Sequence, residues 1–326
     1  MSIARLNADP SIEQSSRVEE REAAVAVLLC TYNGEPFLEE QLESILSQDH
    51  RNLHLWVSDD GSSDGTMSIL RRYQSRLGAD RFVIIEGPRN GFAANFLTLL
   101  CAPEIDADYY MFADQDDIWE GTKISCALKA MACEPSNAPL VYSSRTTLVD
   151  INNVEIGLSP LFFRPASFRN AIIQSIGGGN TMVVNRAARD LARRANVQTI
   201  ISHDWWLYML VTGAGGKMIY DSVPRVRYRQ HGSNLIGMNV GWKMKLQRLR
   251  RLASGQFREW NNVNMRALQA NSHLLTPENR SVLNAFLDAR DGGLLRRVVG
   301  LRRSGAYRQT FGDEVVVLLA TILNKI

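Results

Sequence analysis

The stretch Tyr109-Tyr-Met-Phe-Ala-Asp-Gln-Asp-Asp-Ile-Trp119 sets a short apolar run directly against three carboxylates within four residues: Asp114, Asp116 and Asp117. The run Tyr109–Phe112 suits a strand buried on both faces, as in a parallel sheet. Carboxylates crowded at the end of such a strand repel each other and need a counter-charge. A hard divalent cation bridging to a phosphate supplies it, and oxygen donors favour Mg²⁺ or Mn²⁺. A solvated acidic turn or a helix N-terminus also explains three acids in isolation.

Working outward, the same pattern recurs. Val25–Cys30 is an apolar run that ends at Thr31-Tyr32-Asn33-Gly34, followed by Phe37, Leu38, Leu42, Ile45 and Leu46 at helical spacing. Leu53–Val57 is a second strand, broken at Ser58-Asp59-Asp60-Gly61-Ser62, with a helix over 67–77. Phe82–Ile85 is a third, ending in Gly87-Pro88-Arg89-Asn90-Gly91, with a helix over 93–101. Strands alternating with helices predict an α/β fold: an open, mostly parallel, Rossmann-like sheet with helices on both faces. The Asn, Asp and Gly residues all fall at the C-terminal ends of strands, where open α/β sheets bind ligands.

After residue 120 the pattern loosens. Strands are expected at 140–142, 181–184, 217–220 and 226–228, and helices at 189–195 and 204–211. From about residue 240 the pattern is helical, with segments at 242–252, 260–275, 277–290 and 314–323. The expected division is a flexible N-terminus over 1–23, a catalytic domain over 24–238 and a C-terminal helical region over 239–326.

Composition bounds the rest. The 326 residues, 45% hydrophobic and 22% charged, suit a globular protein. Net charge is +3, but fifteen Lys/Arg against six Asp/Glu lie from residue 240 onward, which leaves the preceding part acidic. An acidic working site and a basic tail able to meet an anionic surface are expected, with no nucleic-acid partner. Four cysteines form no CxxC pair, which favours a reduced cytosolic compartment. The first residues lack the apolar core of a secretory signal, and no run of 18 apolar residues predicts a membrane span.

As a set and in order, Thr31-Tyr32-Asn33-Gly34, Asp59-Asp60-Gly61-Ser62, Asn90-Gly91 with Asn95, and Asp114-Gln115-Asp116-Asp117 resemble the family-2 glycosyltransferases. Asp114–Trp119, His203-Asp204-Trp205-Trp206 and Tyr228-Arg-Gln-His231 look most like the rhamnosyltransferase-type members. The resemblance spans about residues 24–235 and implies a GT-A fold. It also implies an inverting transfer of a sugar, with dTDP-L-rhamnose as the favoured donor, to a glycan or lipid-linked acceptor in cell-surface polysaccharide synthesis. Thr31, Tyr32 and Asp59 would hold base and ribose, with Asn33 and Glu35 nearby and Asp60 the second member of its pair. Asn90, Asn95, Asp114, Gln115 and Asp117 would serve the donor, and Asp116 and His231 the metal, Mn²⁺ or Mg²⁺. Asp204 matches the catalytic base, although the family often shows Glu-Asp where this chain has His203-Asp204. Gly178 and Gly179, with Trp205, would lie beside sugar and acceptor.

Simpler readings stand beside these. Asp204 before Trp205-Trp206 is a good helix N-cap, His231 a plausible turn residue, and Gly177–Gly179 a plain loop. The basic amphipathic stretch Trp242–Leu252 suits an anionic membrane interface or a packed, dimer-forming helix, so a cytoplasmic, peripherally membrane-bound protein or an oligomer is expected. Rival functions are a nucleotidyltransferase, which usually has a basic Gly-rich loop where this chain has Thr31–Gly34, and a non-catalytic sugar-nucleotide- or glycan-binding component of an assembly complex.

Overall fold

The computed structural model describes residues 22–196, 199–231 and 255–326. The basic stretch at 242–252, and the first 21 residues, lie outside them.

Strand β1 (Val25–Thr31) is buried at all seven positions and pairs in parallel with β2 (Leu53–Asp59) and β4 (Tyr109–Ala113). Its side chains alternate between two cores, which is why the run is apolar throughout rather than every second residue. Val25, Val27 and Leu29 pack against α1 (Leu38–Leu46), α2 (Thr66–Leu77) and α4 (Lys123–Met131). Ala26, Leu28 and Cys30 face α3 (Phe92–Cys101), α6 (Arg186–Arg194) and α7 (His203–Gly213).

Nine strands form one sheet in the order β3-β2-β1-β4-β8-β6-β9-β5, with β7 paired on β6. The half built from β3 (Phe82–Glu86), β2, β1 and β4 is parallel, as the alternation of strand and helix predicts. Beyond β4 the sheet is mixed. β8 (Val183–Asn185) is antiparallel to β4 and to β6 (Leu140–Val149), and β6 runs parallel to β9 (Lys217–Arg229).

This second half departs most from the sequence reading. The strand expected at 140–142 continues to Val149 through buried Ser143, Ser144, Thr146 and Thr147, whose polarity hides it. The strands expected at 217–220 and 226–228 are one strand. A register shift opposite Ser144–Thr146 absorbs Pro224, which cannot donate to a ladder. The expected strand at 181–184 begins with a 3₁₀ turn at Gly179–Thr181. The short strands β5 (Ile118–Trp119) and β7 (Glu155–Leu158), and α4, were not anticipated.

A one-turn helix α5 (Phe168–Ala171) follows β7. The chain ends in α8 (Gln256–Ala270), α9 (Pro277–Asp291), α10 (Leu294–Ser304) and α11 (Phe311–Ile322). Met265, Leu268, Leu283 and Phe286 join the core behind α7, so these helices buttress the sheet. Helix α10 was not expected, because Gly292, Gly293 and Gly300 weaken its propensity. A Cβ at Gly300 would lie 2.7 Å from the backbone of Ala285 and Ala289 on α9, so the glycine allows close helix packing.

Candidate active site

The loops after β1 and β2 are knitted together before any ligand is considered. Thr31 Oγ1 donates to Asp59 Oδ1 (2.8 Å), as does Ser62 Oγ (2.5 Å), while the Gly61 and Ser62 amides donate to Asp59 Oδ2 (3.1 and 2.8 Å). Asn33, at φ 49°, accepts from the Ser63 amide (2.8 Å), and Glu35 accepts from the Gly65 amide (2.7 Å). Asp59, Asn33 and Glu35, expected at base and ribose, hold the two loops in shape. What they leave facing outward is the Tyr32 ring, 59% exposed, and Asp60, whose Oδ1 takes the Arg89 amide (2.6 Å).

The loop after β4 is stapled to the same assembly. Gln115 Oε1 accepts from the Tyr32 amide (2.8 Å), and its Nε2 donates to the Tyr32 carbonyl (3.0 Å). A Cβ on Gly34 would sit 2.3 Å from Gln115 Oε1, so only glycine permits this approach. Gln115, expected at the donor, aligns the Tyr32 backbone.

The three carboxylates take different environments. Asp117 is fully buried; Asn180 Nδ2 donates to its Oδ2 (2.6 Å) and the Arg229 amide to its Oδ1 (3.2 Å). Burial, then Asp116 and Asp114, push its carboxyl well above the usual range. Asp114 is pushed up to about 7, first by burial, then by Asp116, then by Asp204, with Lys123 pulling the other way. Asp204, in the first turn of α7, thus lies close enough for its charge to act on Asp114. Asp116 points elsewhere: its Oδ2 lies 2.8 Å from His231 Nε2, whose ring stacks on Phe37 at 5.0 Å. His231 is thus tied into the site rather than free in a turn.

Two cations support these acids. Lys123 is fully buried with its Nζ 3.3 Å from the centre of the Trp119 ring, and burial lowers its pKa well below normal against the pull of Asp117 and Asp114. Arg229, 2% exposed, donates to the carbonyls of Asp116 (3.0 Å) and Ile151 (2.7 Å) and pairs with Glu40. Neither was picked out from the sequence. Arg229 stands two residues before His231 in Tyr228-Arg-Gln-His231, with no sign in the letters that it is buried. Lys123 resembles any polar residue at a helix start.

Asp204 lies in the first turn of α7, and Ser202, not Asp204, occupies the N-cap position, so the capping alternative does not hold. The Asp204 Oδ1 accepts from the Trp205 amide (2.8 Å). Its neighbour His203 is buried among Phe92, Phe96 and Phe112, with no hydrogen-bond partner at either ring nitrogen, and burial lowers its pKa to about 4. A Cβ on Gly179 would lie 2.4 Å from His203 Nε2; the glycine loop closes over this ring.

Two expected site residues turn inward. Asn95 is buried, accepting from Ser58 Oγ (2.5 Å) and donating to the Ser58 carbonyl (3.2 Å). Trp205 is buried with its Nε1 on the Ala171 carbonyl (2.7 Å). Asn95 lies on the buried face of α3, whereas α7 is buried at nearly every position. Asn90 is exposed. Gly178 precedes the 3₁₀ turn, where a Cβ would meet Asn180 Oδ1 at 2.7 Å.

A metal ion fits the donor chemistry here. Asp116 and His231 offer a carboxylate oxygen and an imidazole nitrogen side by side within an acidic surround. Among the described residues no three His, Cys, Asp or Glu side chains converge as a metal cage. Such a two-ligand arrangement suits ions whose remaining positions go to substrate phosphates and water.

The sheet has the topology of a GT-A fold, with acidic and amide loops at the ends of its parallel strands. Residues 26–190 match Glycosyl transferase family 2, and the chain belongs to that family. It is 28% identical to a dTDP-rhamnosyl transferase of Shigella flexneri, over 91% of this chain and 99% of that protein. Two solved structures share the fold. S. aureus TarS 1-349 in complex with UDP-GlcNAc has a TM-score of 0.52 at 17% identity, over 87% of this chain and 93% of that one. A mannosyltransferase of Pyrobaculum calidifontis with GDP-Man and Mn²⁺ has a TM-score of 0.50 at 19% identity, over 94% and 88%. The protein is a glycosyltransferase.

Proposed function

We propose that this crevice binds dTDP-L-rhamnose and transfers the sugar, with inversion, to a hydroxyl of a glycan or lipid-linked acceptor during surface polysaccharide synthesis. The observation that carries the reading is the cluster of Asp114, Asp116, Asp117 and His231, with the Asp204 charge acting on Asp114 from a separate helix. The near full-length similarity to a dTDP-rhamnosyl transferase supports rhamnose as the sugar. Each residue set has a distinct task. Tyr32 offers an exposed ring face to the base. Asp60 offers an acceptor for base or ribose, on a loop held in place by Asp59, Asn33 and Glu35. Asp116 and His231 would hold Mn²⁺ or Mg²⁺, which when bound supplies Lewis-acid stabilisation of the leaving diphosphate. Asp204 takes the proton from the acceptor hydroxyl as its oxygen bonds to the anomeric carbon. The bond from that carbon to the diphosphate breaks on the opposite face, and its electron pair leaves with the nucleoside diphosphate. The N-terminal dipole of α7 favours a negative charge where Asp204 sits.

The test is Asp204→Asn. Loss of the base lowers turnover about 10²–10⁴-fold and leaves donor affinity unchanged. Retained turnover removes Asp204 from the mechanism.

A further inference from the structure

Helix α11 has two apolar faces where a helix on the surface of a domain normally has one. Val317, Ala320 and Thr321 face the core. Phe311, Val315, Leu318, Leu319, Ile322 and Leu323 recur at helical spacing on the opposite side, all exposed, Phe311 at 81% and Leu323 at 67%. The stripe is extended at both ends. Arg297 Nη2 donates to the Ile322 carbonyl (2.9 Å), which sets the first turn of α10 beside the last turn of α11 and adds exposed Leu294 and Leu295. At the other end Arg164 pairs with Glu314 and its amide donates to Gln309 Oε1 (3.0 Å), which brings in Phe163, 84% exposed. A contiguous apolar surface of this extent marks an interaction site.

Its charge selects the partner. Residues 292–326 hold six Arg/Lys against two acids. Asp313 is engaged by Thr310 and Glu314 by Arg164, whereas Arg296, Arg302 and Arg303 are exposed. A symmetric contact with a second copy would set these arginines against a patch whose two acids are already engaged. An anionic bilayer neutralises them, each basic residue near such a surface contributing ~1 kcal/mol. Among the described residues no helix is long and apolar enough to cross a membrane.

We propose that the α10–α11 face docks the protein on an anionic lipid bilayer. Phe311, Leu318, Leu319 and Leu323 lie at the headgroup–acyl boundary and Arg296, Arg302 and Arg303 on lipid phosphates, in the manner of an interfacial amphipathic helix. This goes beyond the transferase reading and does not depend on it.

Flotation of the full chain tests it, with vesicles of phosphatidylcholine alone and of phosphatidylcholine with phosphatidylglycerol. The wild type floats with the anionic vesicles only. Arg302→Gln/Arg303→Gln lowers that binding roughly 25-fold, from ~1 kcal/mol per arginine. Phe311→Ser/Leu319→Ser lowers it at least about ten-fold, with an unchanged melting midpoint. Binding that survives both double variants lies elsewhere in the chain and overturns the proposal. So does a dimer, seen in sedimentation, that Phe311→Ser/Leu319→Ser dissolves without any flotation. Donor binding by the same preparations is read separately: its failure would refute the site and leave the docking face standing.

Discussion

Acid should unfold this protein partly through one side chain. His203 is enclosed by Phe96 at 4.2 Å, Phe112 at 4.9 Å and Phe92 at 6.3 Å, with neither ring nitrogen hydrogen-bonded. Burial holds its pKa at about 4, against an ordinary 6.5. As pH falls through that window the unfolded chain takes up the proton before the folded one does. The stability this group contributes is therefore complete above pH 6.5 and is lost as pH falls towards 4. A pKa difference of this size is worth about 3 kcal/mol. With a urea dependence of ~3 kcal/mol/M, the midpoint falls by ~1 M. Asp114 and Asp117 are shifted upward and act in the opposite direction, so the wild-type curve alone is not diagnostic. The comparison with His203→Leu isolates the histidine's contribution, because carboxylate and cavity effects are common to every pH or cancel in the difference. Urea midpoints by circular dichroism, from about pH 7 to about pH 4, should show the variant losing about 3 kcal/mol less than the wild type. Parallel profiles would mean that His203 is not buried as a neutral ring, and the account of the Gly178–Gly179 loop closing over it would fail.

Two further substitutions probe the scaffold beneath the site. Gln115→Ala removes both bonds to the Tyr32 backbone, costs about 1 kcal/mol of stability at this partly solvated position, and weakens donor binding without altering the pH profile of turnover. Arg229→Met leaves the Asp116 and Ile151 carbonyls without their donor and should cost about 3 kcal/mol, read as a lower melting midpoint together with weakened metal-dependent donor binding.

Much of this was legible before any coordinates. The parallel half of the sheet announced itself because β1 and β4 are covered on both faces, which demands continuous apolar runs, and because β1, β2 and β4 each end in residues that only a turn or a ligand explains. The second half was obscured for the same physical reason in reverse. β6 carries hydroxyls into the interior and β9 passes Pro224 through a register shift, so neither shows a clean pattern. Within the site, residue types indicated the crevice but not the division of labour. An aspartate that accepts four loop hydrogen bonds, as Asp59 does, and one that faces outward, as Asp60 does, are indistinguishable in a string of letters. Asn95 and Trp205 look polar or amphipathic in sequence, yet their helix positions turn them inward. Arg229 was missed because its partners, the Asp116 and Ile151 carbonyls and Glu40, come from distant segments, and Lys123 because nothing in the letters marks a basic residue as buried.

Calorimetric titration with dTDP-rhamnose, UDP-glucose and GDP-mannose, each with and without Mn²⁺, in the wild type and Asp116→Ala, tests the central claim most directly. The account predicts binding of dTDP-rhamnose that requires the metal and is weakened in Asp116→Ala. Equal affinity with and without Mn²⁺, or an unaffected Asp116→Ala, would contradict it.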